Sequence, residues 1–271
     1  MYAGLFIAPQ ELSCMRVVIT DDASAVATAS AEVMCRQLVN APALVLGLAT
    51  GSTPVMLYKE LVSRYQAGEV CFAKAKSFNL DEYVGIDPSH PQSYRHFMQQ
   101  HLFDQVNIDP VATQVPQGLA DPKIECERYE AAITSARGID LQVLGLGANG
   151  HIGFNEPTSS LASRTRIKTL TEDTIAANAR FFEAHEQQPT LALTMGIGTI
   201  MEARHILLLA TGEHKAKAVK AMVEGPVSAM APASVLQFHQ SVTLVLDVAA
   251  ASLLEAQDYY HWVEKMRAQT P

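Results

Sequence analysis

Asp81, His151 and Glu156 are side chains able to move protons, and each stands in a stretch that would present it to a ligand. His151 lies in GANGHIGFNEP, residues 147–157. Its glycines let the backbone approach a small molecule and would gather Asn149, His151 and Glu156 around it. Histidine passes protons near neutral pH, and a neighbouring carboxylate can fix its tautomer. A lone histidine is more often structural, but one in a glycine-rich turn directly after the apolar run LQVLGL leans toward chemistry. Asp81 and Glu82 close another apolar run in SFNLDEYVG, residues 77–85. Adjacent strand side chains point to opposite faces, so at most one of the two is the reactive acid. A strand-end carboxylate serves as a general base where burial or neighbours raise its pKa; otherwise the pair is a solvated opening of a loop.

Two further features concern anions. In ATGSTP, residues 49–54, Thr53 is suited to cap a helix and Pro54 to its first position, while Thr50, Gly51 and Ser52 offer backbone donors and hydroxyls. That is either an anion cradle or an ordinary well-capped turn. It is not a P-loop, since GxxxxGK[ST] is absent. Cations in separate places, Arg180 in NARFF and Lys215 in TGEHK, could complete a phosphate clamp. Arg164, Arg166 and Lys168 in SRTRIK read as a second anion site or a basic surface loop.

One pattern misleads. Gly145, Gly147 and Gly150 spell the GxGxxG of dinucleotide-binding folds, but Gly153 and Pro157 follow where a helix would have to open. Glu172 and Asp173 follow RTRIKTLT and do not end an apolar second strand, so nicotinamide binding is disfavoured.

These stretches need strand ends to hold them, and the rest of the chain supplies them. MRVVIT, ALVLGLA, KSFNL, DLQVLGLG, HILLLATG and VTLVLDVAAAS alternate with helical patterns such as DPKIECERYEAAITSA. Short apolar strands joined by single helices predict a doubly wound, mostly parallel α/β sheet with helices on both faces, a Rossmann-like three-layer sandwich. In such sheets ligands bind beyond the carboxyl ends of the strands. The chain has 271 residues, 48% of them hydrophobic, and shows no repeat or long linker, so residues 15–271 are read as one α/β domain. Residues 1–14 are read as an N-terminal extension outside the fold, with no basic start of a signal peptide.

A net charge of −8 argues against nucleic acid or an anionic membrane as partner. No apolar run reaches a membrane span. Cys14, Cys35, Cys71 and Cys126 are scattered without a CxxC pair, which suits reduced thiols in the cytoplasm and makes structural zinc improbable.

LATGSTP, FNLDEYVG, GANGHIGFNEP, SSLASRTRIKTLT, NARFF and GEHKAKAVKAMVEGP stand in the order and spacing of glucosamine-6-phosphate deaminases, which the chain resembles from about Met15 into its last helix. The resemblance implies hydrolytic conversion of glucosamine 6-phosphate to fructose 6-phosphate and ammonia, a step of amino-sugar catabolism, with no metal or organic cofactor. It implies that Asp81 moves a proton from C2 to C1 and that His151 opens the ring, supported by Glu156 and Asn149. Ala49, Thr50, Gly51, Ser52 and Thr53, with Arg180 and Lys215, would hold the 6-phosphate. Many members carry Asp where this chain has Asn149, so Glu156 must supply the negative charge to the imidazolium. The resemblance also implies a homohexamer activated by N-acetylglucosamine 6-phosphate through Ser159, Arg166, Lys168 and Thr169. A terminal amine at the position of Met15 would assist. A 6-phosphogluconolactonase shares the fold but would not carry GFNEP after the histidine, and a non-catalytic sugar-phosphate sensor would lack the reactive set.

Overall fold

The computed structural model describes residues 15–170, 175 and 188–269. Seven strands form the central sheet: β1 (Met15–Thr20), β2 (Val45–Leu48), β3 (Lys76–Asn79), β5 (Thr113–Gln114), β6 (Leu141–Gly145), β9 (His205–Ala210) and β10 (Val242–Asp247). Their spatial order is β1-β10-β9-β6-β2-β3-β5, and every adjacent pair is parallel. Alternation along each strand splits the core into two layers. Ile206, Leu208 and Ala210 face one side with Leu244 and Leu246, against Tyr129 and Ile133 of α4 (Pro122–Ser135) and Val219 and Met222 of the helix Ala216–Val223. Leu207 and Leu209 face the other side with Leu46, Leu48 and Val245. They pack on Met34 and Leu38 of α1 (Ala23–Asn40) and Leu57 and Leu61 of α2 (Ser52–Gln66). Strands covered on both faces explain why the runs read as continuously apolar. The doubly wound sandwich is therefore present.

Helix starts follow local chemistry. Asp22 accepts the Ala25 N–H at 2.8 Å to open α1, and Asp121 accepts from Lys123 and Ile124 before Pro122 at the start of α4. α2 begins earlier than the sequence suggests. Gly51, at φ +102°, is its N-cap, so Ser52 and Thr53 lie inside the first turn and Thr53 does not cap it. An open left-handed backbone, which glycine adopts at little cost, overrides the side-chain preference of Thr for the cap.

A second sheet was not anticipated. β4 (Asp81–Tyr83), β8 (Leu191–Thr194) and β7 (Arg166–Thr169) form an antiparallel sheet in the order β4-β8-β7, with Asp81 opposite Thr194 and Arg166 also opposite Thr194. Asp81 thus does not end the apolar strand: β3 stops at Asn79, and the chain crosses into the small sheet. SRTRIK is likewise not a loop, because its last residues form edge strand β7.

The chain moves from β2 to β3 and β5 in one direction and from β6 to β9 and β10 in the other. The reversal leaves a crevice between the carboxyl ends of β2 and β6. Along that edge the segments that follow β9, β6, β2 and β3 carry, in order, Lys215, His151, the 49–53 turn and, at the start of β4, Asp81.

Candidate active site

The turn after β2 presents Ser52 and Thr53 at the start of α2, where the first N–H groups have no partner within the helix. Nothing lies within 4 Å of where a Gly51 Cβ would stand, so glycine is required there for conformation and not for space. The Ala49 carbonyl accepts the buried Tyr58 hydroxyl at 2.6 Å, which fixes the turn from below, and Thr50 follows it half-buried. A cavity of about 120 Å³ lined by Ser52, Thr53, Leu209 and Thr211 sets the end of β9 beside this helix start. From there Gly212, at φ +87°, donates its N–H to both oxygens of Asp247 at 3.0 and 2.9 Å and turns the chain toward Lys215. Lys215 is largely buried, and burial pulls its pKa below the ordinary lysine value. Among the described residues its ammonium meets no carboxylate. Arg180, the other expected member of the clamp, lies outside the described residues.

The turn after β6 is built on glycine. The Gly147 N–H donates to the His151 carbonyl at 2.9 Å and the Gly150 N–H to the Gly147 carbonyl at 3.0 Å, closing the loop on itself. A Cβ on Gly147 would collide with the imidazole, so the ring occupies the space that this glycine leaves. Asn149 donates its amide to Glu156 Oε2 at 2.7 Å and accepts the His151 N–H at 3.2 Å. The same Oε2 stands 3.3 Å from Nδ1 of His151. The approach is off the line of a hydrogen bond, and Nδ1 has no hydrogen-bond partner among the described residues. Glu156 is 3% exposed, so its charge acts through little intervening water.

Asp81 and Glu82 are both buried, which removes the solvated reading, and they divide in function as the alternation of a strand requires. Glu82 turns its oxygens to the start of α3 (Tyr94–His101): Oε1 accepts the Tyr83 and Tyr94 N–H groups, and Oε2 accepts the Ser93 hydroxyl and the Arg95 N–H. It is a helix cap. Asp81 accepts no hydrogen bond from the described residues, and burial, reinforced by the charge of Glu82, pushes its carboxyl up to about 8. A buried carboxylate without donors prefers its neutral form. Its Oδ2 lies 3.5 Å from where a Gly153 Cβ would stand, with Thr194 Oγ1 at 3.1 Å from the same point. Gly153, at φ +55°, therefore brings the histidine loop against the carboxylate of the second sheet.

Thr194 joins the two sheets further. Its hydroxyl accepts the Phe154 N–H at 3.1 Å, while the Asn155 amide donates to the carbonyls of Ile152 and Met195. Sequence reading missed Thr194, Asn155 and Gly153 in these roles. The signal available was LALTMG, an alternating strand closing on a glycine.

Three of the four residues expected at a second anion site, Arg166, Lys168 and Thr169, belong to β7. Arg166 and Lys168 share one face of β7 and Thr169 the other. The Arg166 guanidinium is committed to Asn155 Oδ1 at 2.8 Å. The Ser159 hydroxyl is buried and has no hydrogen-bond partner among the described residues. Arg164 pairs with Glu130 and Glu202, both at 2.6 Å.

Proton-transfer groups along the switch point of a doubly wound sheet place the chain among α/β enzymes that act at strand ends. The family model for glucosamine-6-phosphate isomerases and 6-phosphogluconolactonase matches residues 21–245. With the identities that follow, the chain belongs to this family and, within it, to the glucosamine-6-phosphate deaminases. The glucosamine-6-phosphate deaminase of Hahella chejuensis is 61% identical over 257 residues, covering 94% of this chain and 98% of that one. That of Cellvibrio japonicus is 57% identical over 252 residues, covering 93% and 96%. A solved structure described as a monomeric glucosamine-6-phosphate deaminase is 41% identical with a TM-score of 0.86, covering 88% of this chain and 100% of that one. A 6-phosphogluconolactonase from Trypanosoma cruzi, 16% identical with a TM-score of 0.71, shares the fold alone.

Proposed function

We propose that this chain converts glucosamine 6-phosphate and water to fructose 6-phosphate and ammonia. The observation that carries this reading is the division of labour across the crevice. An imidazole beside a buried carboxylate follows β6 of the central sheet, and a buried carboxylate that accepts no hydrogen bond from the described residues, pushed up to about 8, stands on the other sheet. The turn from Ala49 to Thr53, with Lys215 and Arg180, holds the 6-phosphate. His151 takes the proton of the anomeric hydroxyl and returns one to the ring oxygen, so the pyranose opens to an amino-aldehyde. Glu156 stabilises the imidazolium formed on the way, and Asn149 holds Glu156. Asp81 removes the C2 proton as the aldehyde oxygen takes one from the substrate's own ammonium, giving an enolamine, and Asp81 then delivers its proton to C1. The ketimine left at C2 takes up water and releases ammonia, which makes the net reaction a hydrolysis. Ammonia release from glucosamine 6-phosphate, measured beside 6-phosphogluconolactone hydrolysis and with unphosphorylated glucosamine as control, tests the proposal. Lactone hydrolysis without ammonia release would overturn it.

The proposal extends to activation by N-acetylglucosamine 6-phosphate on β7. The support is the Arg166–Asn155 bond, one residue from Glu156, and a buried Ser159 hydroxyl that has no hydrogen-bond partner among the described residues. A hexamer would place that strand between subunits, whereas a relative 41% identical is described as monomeric. Sedimentation, with rates measured with and without the effector, decides: a monomer that the effector leaves unchanged removes this part. A cytoplasmic setting belongs to the same reading, supported by the free thiols of Cys35, Cys71 and Cys126. No helix among the described residues is long and apolar enough to cross a membrane.

A further inference from the structure

A cavity of about 530 Å³ opens on the far side of Glu82 from Asp81, between the start of α3 and the segment 110–120. That volume is in the range of small-molecule sites. Its walls are apolar, from Ile86, Pro88, Val115 and Pro116, with Val111 and Leu119 at the rim, 84% and 62% exposed. Both sides are pinned. The Gly85 N–H donates to the Gly118 carbonyl at 2.8 Å, a Cβ on Gly118 would strike the Tyr83 carbonyl, and the Gln117 N–H donates to Glu125 at 2.9 Å. The cavity is thus part of the fold.

One cation lines it. Arg95 is half-buried, lies over the Phe103 ring at 5.6 Å, and donates through Nη1 alone, to the carbonyl and hydroxyl of Thr113 at 3.1 and 2.8 Å. Nε and Nη2 have no partner among the described residues, and no carboxylate forms an ion pair with the guanidinium; Asp104 acts on it only at a distance. Burial pulls its pKa down, the mark of a charge that lacks compensation. The carboxylate on the same wall, Glu82, spends both oxygens on four donors of the α3 start and its own strand.

We propose that this cavity binds a small organic carboxylate with an apolar body, its carboxylate on the free edge of Arg95 and its body against Ile86, Val115 and Leu119. A two-pronged guanidinium edge suits a carboxylate, and the apolar walls exclude a bare inorganic ion. Binding here does not depend on the reaction proposed above.

The test is a titration of the full chain with 3-phenylpropionate, its uncharged amide and inorganic phosphate, followed through backbone amide NMR shifts. The acid is expected to move Arg95, Thr113 and Leu119, with the amide weaker by roughly tenfold or more, as loss of a charge-assisted pair requires. Arg95→Gln should remove that preference. Leu119→Glu, a change at an exposed rim that leaves the fold untouched, should weaken the acid and spare the amide. Equal binding of acid and amide would overturn the proposal. So would shifts confined to Ser52 and Lys215, as expected of phosphate, or no response to millimolar acid.

Discussion

Oε2 of Glu156 stands 3.3 Å from Nδ1 of His151 without a hydrogen bond between them, and what holds it there is the Asn149 amide at 2.7 Å. Asn149→Ala should leave a buried carboxylate oxygen without its donor and lower kcat about tenfold, a cost of about 1.4 kcal/mol. Asn149→Gln, which keeps the amide but sets it one methylene further out, should fall between the parent and Asn149→Ala. A kcat for Asn149→Ala equal to that of the parent would remove Asn149 from the unit.

Asp81 binds a proton on folding. Its folded value of about 8 lies above the ordinary 3.8, so between those values the native state holds more proton than the unfolded chain, and stability falls as pH rises through that window. Asp81→Asn cannot ionise. It should match the parent in stability below about pH 4 and exceed it by a few kcal/mol above pH 8, at about 1.4 kcal/mol per unit. The same change should abolish solvent deuterium exchange at C2 while preserving substrate binding. Parent kcat/KM should rise toward pH 8 as the base form appears. Exchange persisting in the variant would dismiss Asp81 as base.

Gly147→Ala separates activity from stability. The added methyl would displace an imidazole that is 25% exposed, and Gly147 has no left-handed backbone to strain. Thermal unfolding should shift little, while kcat falls by about a hundredfold through a misplaced ring. An unchanged kcat would show that ring placement here is not limiting.

Lys215→Met removes a largely buried ammonium that meets no carboxylate among the described residues. KM for glucosamine 6-phosphate should rise by the equivalent of roughly 1.5–3 kcal/mol, the scale of a charge-assisted hydrogen bond. The melting temperature should hold or increase, and protection by inorganic phosphate should disappear. Arg180→Ala gives the matching test for a residue outside the described region. A variant that keeps its KM is outside the clamp.

The central sheet was legible because β2, β6, β9 and β10 are short apolar runs set between helix signals, and the strand-end positions of His151 and Lys215 followed from them. The small sheet was not, for a physical reason: DEY meets LALT more than a hundred residues along the chain, and both pairings of the sheet are antiparallel, outside the pattern of parallel strands joined by single helices. Glu82 as a cap was hidden too, since the helix start it serves lies beyond a turn, with Ser93, eleven residues later, as the N-cap. Gly51 as N-cap was hidden by its neighbours, because Ser and Thr carry the usual capping signal and only the backbone angle shows otherwise.

β1 is hydrogen-bonded along its whole length to β10, so Met15 meets Val242 and Thr20 meets Asp247. Among the described strands the first in the chain has as its neighbour the last. At ordinary synthesis rates its partner arrives on the order of tens of seconds later. Until then MRVVIT is an unpaired, β-branched segment, and the sheet edge that β10 will offer does not exist. Newly made chains should therefore depend on chaperones through this interval, and circular permutation that makes β1 follow β10 should shorten it.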